Sequence, residues 1–174
     1  YMFNEHGQML YEWIDNKKVS VGSNAQLDAK RADGSVATAG EMLYYNVNEE
    51  GWRADGWYQI DGSEAMKTDS DTDWYYIDDG EMYHATDADD AGTTDGGSEV
   101  YVMRKKVKVS GNKYFAFNKK GQMQDGLQYI VKDHGFFYFD ENGYQKTGKV
   151  SSVECEDDDY TFYFNTKNGK NGQG

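Results

Sequence analysis

The feature that most constrains this chain is a short pattern that recurs six times. Each copy has a run of aromatic residues, then an acidic or Asn-rich stretch, then a glycine. Such internal repetition is the signature of repeat architectures. The copies are YMFNEHGQM, YYNVNEEGW, WYYIDDGEM, YFAFNKKGQM, FFYFDENGYQ and TFYFNTKNGK, with turn glycines Gly7, Gly51, Gly80, Gly121, Gly143 and Gly169. In four repeats a second glycine follows five residues later, at Gly56, Gly126, Gly148 and Gly174.

Residues within each aromatic run alternate between strict and permissive positions. Two positions are apolar or aromatic in every repeat, whereas the position between them also holds Asn, Ala and Met. A period of two predicts a β-strand with one buried face. The strict positions are Tyr1 and Phe3, Tyr45 and Val47, Tyr75 and Ile77, Phe115 and Phe117, Phe137 and Phe139, and Phe162 and Phe164. The permissive position between them is Met2, Asn46, Tyr76, Ala116, Tyr138 or Tyr163, and the position before the run is Tyr44, Trp74, Tyr114, Phe136 or Thr161.

The turn that follows each run has the chemistry of a β-hairpin. An Asp or Asn that opens a short loop, with a left-handed Gly at its end, is typical of hairpin turns. A lone hairpin is barely stable in water, so its aromatic face has to be covered, and the next hairpin is the nearest candidate. We therefore predict an all-β fold, a solenoid-like array of stacked β-hairpin repeats with irregular insertions, as a single domain over residues 1–174. The predicted repeats span about 1–14, 43–60, 74–84, 114–130, 136–150 and 161–174, and the insertions about 15–42 and 85–112.

The two insertions carry local signals of their own. Residues 23–34, SNAQLDAKRADG, favour a short helix capped by Ser23 or Asn24 and ended at Gly34. Residues 99–109, EVYVMRKKVKV, favour an additional strand. These segments fit both true insertions and degraded repeats.

Charge and hydropathy exclude several kinds of partner. The formal net charge of −13 argues against nucleic acid, because phosphate binding needs clustered Lys and Arg. No stretch of the sequence is long and apolar enough for membrane insertion. The single cysteine, Cys155, fits a cytosolic protein and equally a surface protein that avoids disulfides. Because the chain starts at Tyr1, we expect it to be a fragment or a mature piece of a longer protein.

The repeats resemble the cell-wall-binding repeats of Gram-positive surface proteins, the choline-binding and glucan-binding modules. DWYYIDDGEM, residues 73–82, is similar to the choline-binding form. DGLQYIVKDHGFFYFDENGYQKTG, residues 125–148, is closer to the glucan-binding form, with Leu-Gln in place of Trp after the glycine. The recognisable repeats cover somewhat more than half of the chain. The resemblance implies a hairpin array, no cofactor, and a cell-wall polymer or another glycan as partner.

In the choline-binding branch, the resemblance places ligands between successive hairpins, against aromatic side chains. The best match for such a site is Trp57 with Trp74 and Tyr76, with Met82 nearby. A partial match is Trp13 with Tyr44, where Asn46 replaces the third ring. A further match is Phe136 with Tyr138, where Leu127 stands in place of Trp.

The chemistry of such sites does not depend on the family name. Rings that face one another can hold a quaternary ammonium ion, at about 0.5–2 kcal/mol per contact. The same rings can stack on the apolar faces of sugars, while turn Asp and Asn side chains bind hydroxyl groups. We expect a non-catalytic module that anchors a larger secreted or cell-surface protein to choline-substituted teichoic acid or to a glucan, with repetition supplying avidity.

Several other interpretations are open at this point. One is recognition of host carbohydrate, since FYFNTKNG also resembles clostridial toxin repeats. Another is a structural or protein-interaction scaffold, in which the outward rings only form cross-strand pairs. Calcium is disfavoured, because DSDTDWYYIDDGE and DADDAGTTD are both incomplete as calcium loops. Catalysis is disfavoured too, because His6, His84 and His134 fall at unrelated places and no catalytic motif appears.

Overall fold

The structure is a computed structural model that describes residues 1–3, 6–17, 31, 33–35, 37–46, 50–63, 66–68, 72–94 and 96–166, except for the side chain of residue 109. The chain divides into two compact units, a first unit over Tyr1–Tyr83 and a second unit over His84–Gly174. The prediction of a single array over the whole chain stays a prediction. The helix predicted over residues 23–34 lies almost wholly outside the described residues.

The described part of the first unit contains seven short strands in two antiparallel sheets. A five-stranded sheet has the order β3-β4-β7-β6-β5, and β1 and β2 form a separate pair. The strands are β1 (Met2–Phe3), β2 (Met9–Leu10), β3 (Glu12–Asp15), β4 (Met42–Tyr45), β5 (Gly56–Ile60), β6 (Asp73–Asp78) and β7 (Glu81–Met82).

Where the structure describes the second unit, it has eight strands in three antiparallel sheets. A four-stranded sheet has the order β11-β10-β9-β8, and two further hairpins pair β12 with β13 and β14 with β15. The strands are β8 (Asp90–Thr93), β9 (Glu99–Val107), β10 (Lys113–Asn118), β11 (Met123–Gln124), β12 (Gly126–Ile130), β13 (Gly135–Phe139), β14 (Gly148–Cys155) and β15 (Asp158–Phe164). The other regular structure among the described residues is four 3-10 turns, at Ala39–Glu41, Asp87–Asp89, Lys108–Ser110 and Val131–Asp133. The prediction of an all-β chain of hairpin repeats is confirmed.

The second glycine of three repeats begins a strand that pairs with the next aromatic strand. Gly56 lies opposite Ile77, Gly126 opposite Phe139, and Gly148 opposite Phe164. Each glycine has a positive φ, which costs a residue without a Cβ little. The hairpin therefore starts with a glycine placed across from the last buried residue of the aromatic run.

The predicted buried face is confirmed for most repeats, but Tyr44, Asn46 and Ala116, on the face predicted to point outward, are buried as well. Phe137 and Phe139 are buried and belong to a core cluster of the second unit with Val102, Ala116 and Ile130. In the first unit, two core clusters form: one contains Trp13, Met42, Tyr44, Ala54, Ile60, Met66, Tyr75, Ile77 and Met82, and the other contains Leu10, Ile14, Leu43 and Tyr45. The aromatic strands therefore bury their strict positions, as the alternation predicts. Val47 lies outside the described residues.

The first repeat reverses this pattern, so the prediction for it was wrong. Tyr1 and Phe3 are 69% and 57% exposed, whereas Met2 between them packs against the second core cluster. The reason is that β1 pairs only with β2, and its Met2 face is the one turned toward Leu10 and Tyr45. The side chains of β1 still alternate between two faces, but the buried face is that of Met2 and not that of Tyr1 and Phe3.

The first insertion connects the two strands of a hairpin, and the second insertion supplies one strand of a hairpin; both hairpins resemble those of the repeats. Strands β3 and β4 pair across the first insertion, from Asp15↔Met42 to Glu12↔Tyr45. In the second insertion, the predicted extra strand is confirmed as β9, which pairs along all of β10. The strand β9 thus takes the place that β5, β12 and β14 have in the other hairpins.

A buried ion pair ties the first insertion to its hairpin. The Arg31 guanidinium donates to both carboxylate oxygens of Asp15 at 2.8 Å and contacts Glu41 at 3.2 Å. Glu41 also accepts a hydrogen bond from the backbone N–H of Thr38. Hydrogen bonds from Lys17 and Thr38 lower the pKa of Glu41 to about 2.

Candidate functional site

The strongest site residues of the first unit lie on one face of the β5–β6–β7 sheet. Trp57 stands directly opposite Tyr76, and their ring centroids are 5.2 Å apart in an edge-to-face arrangement. Tyr83 donates its backbone N–H to the carbonyl of Tyr76, and their ring centroids are 4.7 Å apart. The structure therefore brings Trp57, Tyr76 and Tyr83 into one line across three chain segments. We call this line the aromatic row.

Trp74 lies beside the aromatic row on the same strand as Tyr76. The two residues are separated by one position, so they share a face of β6, and Trp74 is 43% exposed. Its partner across the hairpin is Gln59. The predicted group of Trp57, Trp74 and Tyr76 is thus brought together on one accessible face.

Two carboxylates, Asp55 and Asp78, lie close enough to the aromatic row to act on its tyrosines. Burial raises the pKa of Tyr76, and the charges of Asp55 and Asp78 raise it further. The pKa of Tyr83 is raised by burial first, then by Tyr76 and by the same two carboxylates. Electron-rich ring faces next to negative charge favour a cation and disfavour an anion.

Met82 lies on the opposite face of this sheet, which corrects its predicted place beside the ligand. It pairs with Ile77, and both are buried in the core cluster of the first unit. The physical reason is the alternation of side chains: Tyr83 points to the face of Tyr76, so its neighbour Met82 points to the core.

Trp13 and Tyr44 do not form an open site. They stand opposite each other on β3 and β4, with ring centroids 4.9 Å apart, and both are buried in the core. Trp13 also packs edge-to-face on Tyr75 at 5.4 Å. This corrects the expectation that Tyr44 faces outward: its face of the sheet is the covered one. Burial raises the pKa of Tyr44 to about 12.

Phe136 and Tyr138 share a face of β13 in the second unit but have different partners. Phe136 is 42% exposed and meets Tyr129 across the hairpin at 5.1 Å. Tyr138 stacks on the buried Phe164 at 6.1 Å and stands opposite Leu127. Phe136 and Tyr138 therefore contact separate rings and do not form one continuous line of contacts as the aromatic row does.

A shallow cleft of about 470 Å³ lies next to Tyr138. Its walls come from the hairpins β12–β13 and β14–β15. Its lining residues are Asp125, Gly126, Leu127, Tyr138, Phe139, Glu141, Ser152 and Glu154. One ring and several carboxylates suit a sugar, whose apolar face stacks on the ring while its hydroxyls donate to the acids.

Among the described residues, no cluster of three or more His, Cys, Asp or Glu side chains could hold a metal ion. Within the acidic sequence DSDTDWYYIDDGE, Asp73–Asp78 form β6 and Gly80 has a positive φ in the turn that follows, while residues 69–71 lie outside the described residues. In the same described part of the chain, no helix has the length and hydropathy to span a membrane.

Tyr83 is the member of the aromatic row that sequence reasoning missed. The signal is the register of the turn at Gly80. Because Asp78 pairs with Glu81 and Ile77 with Met82, the next pair outward joins Tyr76 to Tyr83. Counting the same number of residues on both sides of the turn would have found it.

No protein-family model and no curated protein matches the chain. Among solved structures, it is similar to choline binding protein F from Streptococcus pneumoniae, with 20% identity and a TM-score of 0.30 over 96% of this chain and 58% of that one. Alternansucrase in complex with isomaltononaose matches with 20% identity and a TM-score of 0.28, over 75% and 11% of the two chains. CbpJ from Streptococcus pneumoniae matches with 18% identity and a TM-score of 0.26, over 94% and 53%.

The chain spans less than two thirds of each of these proteins. The assignment to the all-β hairpin class rests on the strand pairing itself.

Proposed function

We propose that this chain is a non-catalytic binding module that attaches a larger secreted or cell-surface protein to a cell-wall polymer bearing quaternary ammonium groups. The observation that carries the proposal is the aromatic row, in which Trp57, Tyr76 and Tyr83 line up beside Trp74 with two carboxylates nearby. The repeats that carry these rings resemble choline-binding repeats, which makes choline-substituted teichoic acid the proposed polymer.

The proposed recognition is electrostatic and weak at each site. A trimethylammonium group has no N–H to donate, so it is held by ring faces rather than by hydrogen bonds. The field of a chain with net charge −13 draws such cations toward the surface. Attachment then comes from several weak contacts along one polymer.

Calorimetric titration of the chain with choline tests this proposal. We expect saturable binding that Trp57→Ala weakens roughly 2- to 30-fold, which corresponds to the loss of one cation–π contact. The matched control is Trp52→Ala, since Trp52 is an exposed tryptophan of the first unit outside the aromatic row. No saturable heat with choline would overturn the choline assignment, and equal losses in both variants would remove the aromatic row as the site.

The cleft beside Tyr138 favours a second candidate, binding of a glycan through the second unit. Leu127 offers no ring there, so a cation has one aromatic wall, whereas a sugar can use that wall and the carboxylates together. Soluble glucans and host-cell glycans should then bind the chain, and Tyr138→Ala should weaken them without changing choline binding. Capture of host glycans but not of bacterial walls would favour receptor recognition.

A further inference from the structure

The second unit contains an aromatic cage that is occupied by a side chain of the same unit. The guanidinium carbon of Arg104, on β9, lies 4.2 Å from the ring centroid of Tyr114 on β10. It lies 4.0 Å from the ring centroid of Phe137 on β13. A planar cation is thus in contact with two rings that belong to two different hairpins.

Two N–H groups of the same guanidinium also donate hydrogen bonds. Its Nε donates to Oδ2 of Asp133 at 2.7 Å, and Nη1 donates to Oε1 of Gln145 at 2.7 Å. The Arg104 side chain is 12% exposed, while the Asp133 side chain is 38% exposed. The enclosure therefore opens to solvent on the side of Asp133.

These contacts are those of a cation-binding site. Two ring faces supply the quadrupoles that attract a positive charge. A carboxylate accepts from Nε and an amide oxygen accepts from Nη1, and a planar guanidinium can present N–H donors to both acceptors at once.

Other cations of this unit lie over single rings. The Nζ atom of Lys113 is 4.0 Å from the centroid of Tyr144, and that of Lys119 is 4.3 Å from the centroid of Tyr101. Arg104 differs because two rings and a carboxylate enclose it together. Removal of the Arg104 side chain should therefore leave a site that is already lined by two rings and a carboxylate.

We propose that Tyr114, Phe137 and Asp133 form a second cation site, that Arg104 is its built-in occupant, and that the site binds a small guanidinium or methylammonium ion once the Arg104 side chain is truncated. This inference does not depend on the proposed function, because it concerns other residues in the other unit. It implies that the wild-type chain keeps this cage closed to external cations.

The test compares three full-length chains by calorimetry with methylguanidinium as the probe. Arg104→Ala empties the cage, whereas Arg104→Met fills it with an uncharged chain of similar reach. We expect Arg104→Ala to bind, saturably, one more probe per chain than the wild type or Arg104→Met binds. A folded Arg104→Ala chain that does not bind the probe, or an Arg104→Met chain that binds it equally, would overturn the proposal.

Tryptophan emission separates this site from the aromatic row. All tryptophans of the chain, Trp13, Trp52, Trp57 and Trp74, belong to the first unit. Probe binding at the cage should therefore produce heat with unchanged tryptophan emission. Heat accompanied by an emission change that Trp57→Ala abolishes would assign the probe to the aromatic row and contradict the cage.

A stability measurement keeps the proposal testable if Arg104→Ala folds poorly. Millimolar methylguanidinium should raise the melting temperature of Arg104→Ala, but not that of Arg104→Met. Adding Asp133→Asn to Arg104→Ala should weaken the probe roughly tenfold, because a charged acceptor becomes neutral. An unchanged melting temperature of Arg104→Ala in the presence of methylguanidinium would contradict the proposed site.

Discussion

At the scale of single residues, the turns show how the chain reverses after each aromatic run. Asp140 accepts hydrogen bonds on Oδ1 from the backbone N–H groups of Asn142 and Tyr144, at 3.0 and 2.9 Å. Gly143 donates its own N–H to the carbonyl of Asp140 and has φ of +81°. The Asp side chain thus closes the loop, and the glycine provides the left-handed backbone.

Two glycine substitutions separate backbone strain from crowding. Gly143→Ala and Gly126→Ala both force a side chain into a positive φ, at a cost of about 1–2 kcal/mol. A Cβ at Gly143 would also lie 2.5 Å from Sδ of Met123, whereas one at Gly126 meets nothing within 4 Å. We expect Gly143→Ala to lose about 1 kcal/mol more in urea unfolding followed by circular dichroism. Equal losses would show that Met123 moves away without cost.

Two buried tyrosines should make the first unit sensitive to high pH. Burial raises the pKa of Tyr75 and that of Tyr44 to about 12. Each has a folded-state pKa above the ordinary value of about 10, so its contribution to stability is complete below pH 10 and is lost as the pH rises through about 12. Tyr75→Phe should therefore lose less stability than the wild type over this pH range in alkaline unfolding. Equal losses of stability in Tyr75→Phe and in the wild type would contradict the raised pKa of Tyr75.

At the scale of elements, the strand β13 contains both kinds of position side by side. Phe137 is 1% exposed in the core cluster and under Arg104, while its neighbour Phe136 lies on the accessible face with Tyr129. Gly126 begins the partner strand β12 opposite Phe139, and the turn at Gly143 follows β13. The result is a strand with one face for packing and one face for solvent or a ligand.

Alanine substitutions at these neighbours test the two faces. Phe137→Ala should cost about 3–5 kcal/mol, since it removes a buried ring and leaves a cavity. Phe136→Ala should cost no more than about 1.5 kcal/mol, the range of one aromatic pair. Chemical unfolding of both variants is the measurement, with Phe137→Leu as a milder variant that should fall between them. Similar costs for Phe136→Ala and Phe137→Ala would contradict the assignment of the faces.

At the scale of the whole molecule, charge is the dominant property. A net charge of −13 on 174 residues produces a field that salt screens over about 10 Å at 0.1 M ionic strength. This field acts on every charged partner, whichever unit binds it, and has no effect on neutral sugars.

Salt dependence therefore distinguishes the two candidate ligand classes. Binding of choline-substituted polymer should weaken and slow as sodium chloride rises from low to physiological concentration, since attraction is screened. Binding of a neutral glucan should change little over the same range. Surface-immobilised polymer with the chain in solution gives both rates. A choline polymer whose association rate ignores salt would argue against electrostatic attraction.

The sequence by itself determined the local structure of this chain. Alternating rings and Asp/Asn-Gly turns predict the hairpins, and the structure confirms β6, β10, β13 and β15 as aromatic strands. The same signals place Trp57, Trp74 and Tyr76 on one face, as found. These properties follow from neighbouring residues alone, because side-chain alternation and turn conformation are set within a few positions of the backbone.

Only the tertiary structure decided which face of each strand is covered. Alternation assigns residues to two faces but does not say which face meets another segment. Trp13 and Tyr44 are buried because their face packs against Tyr75, while Tyr1 and Phe3 are exposed because nothing in the described part of the chain buries them. The Arg104 cage depends likewise on three strands meeting in space. Burial is a property of what lies across a face, and that neighbour is often distant in the sequence.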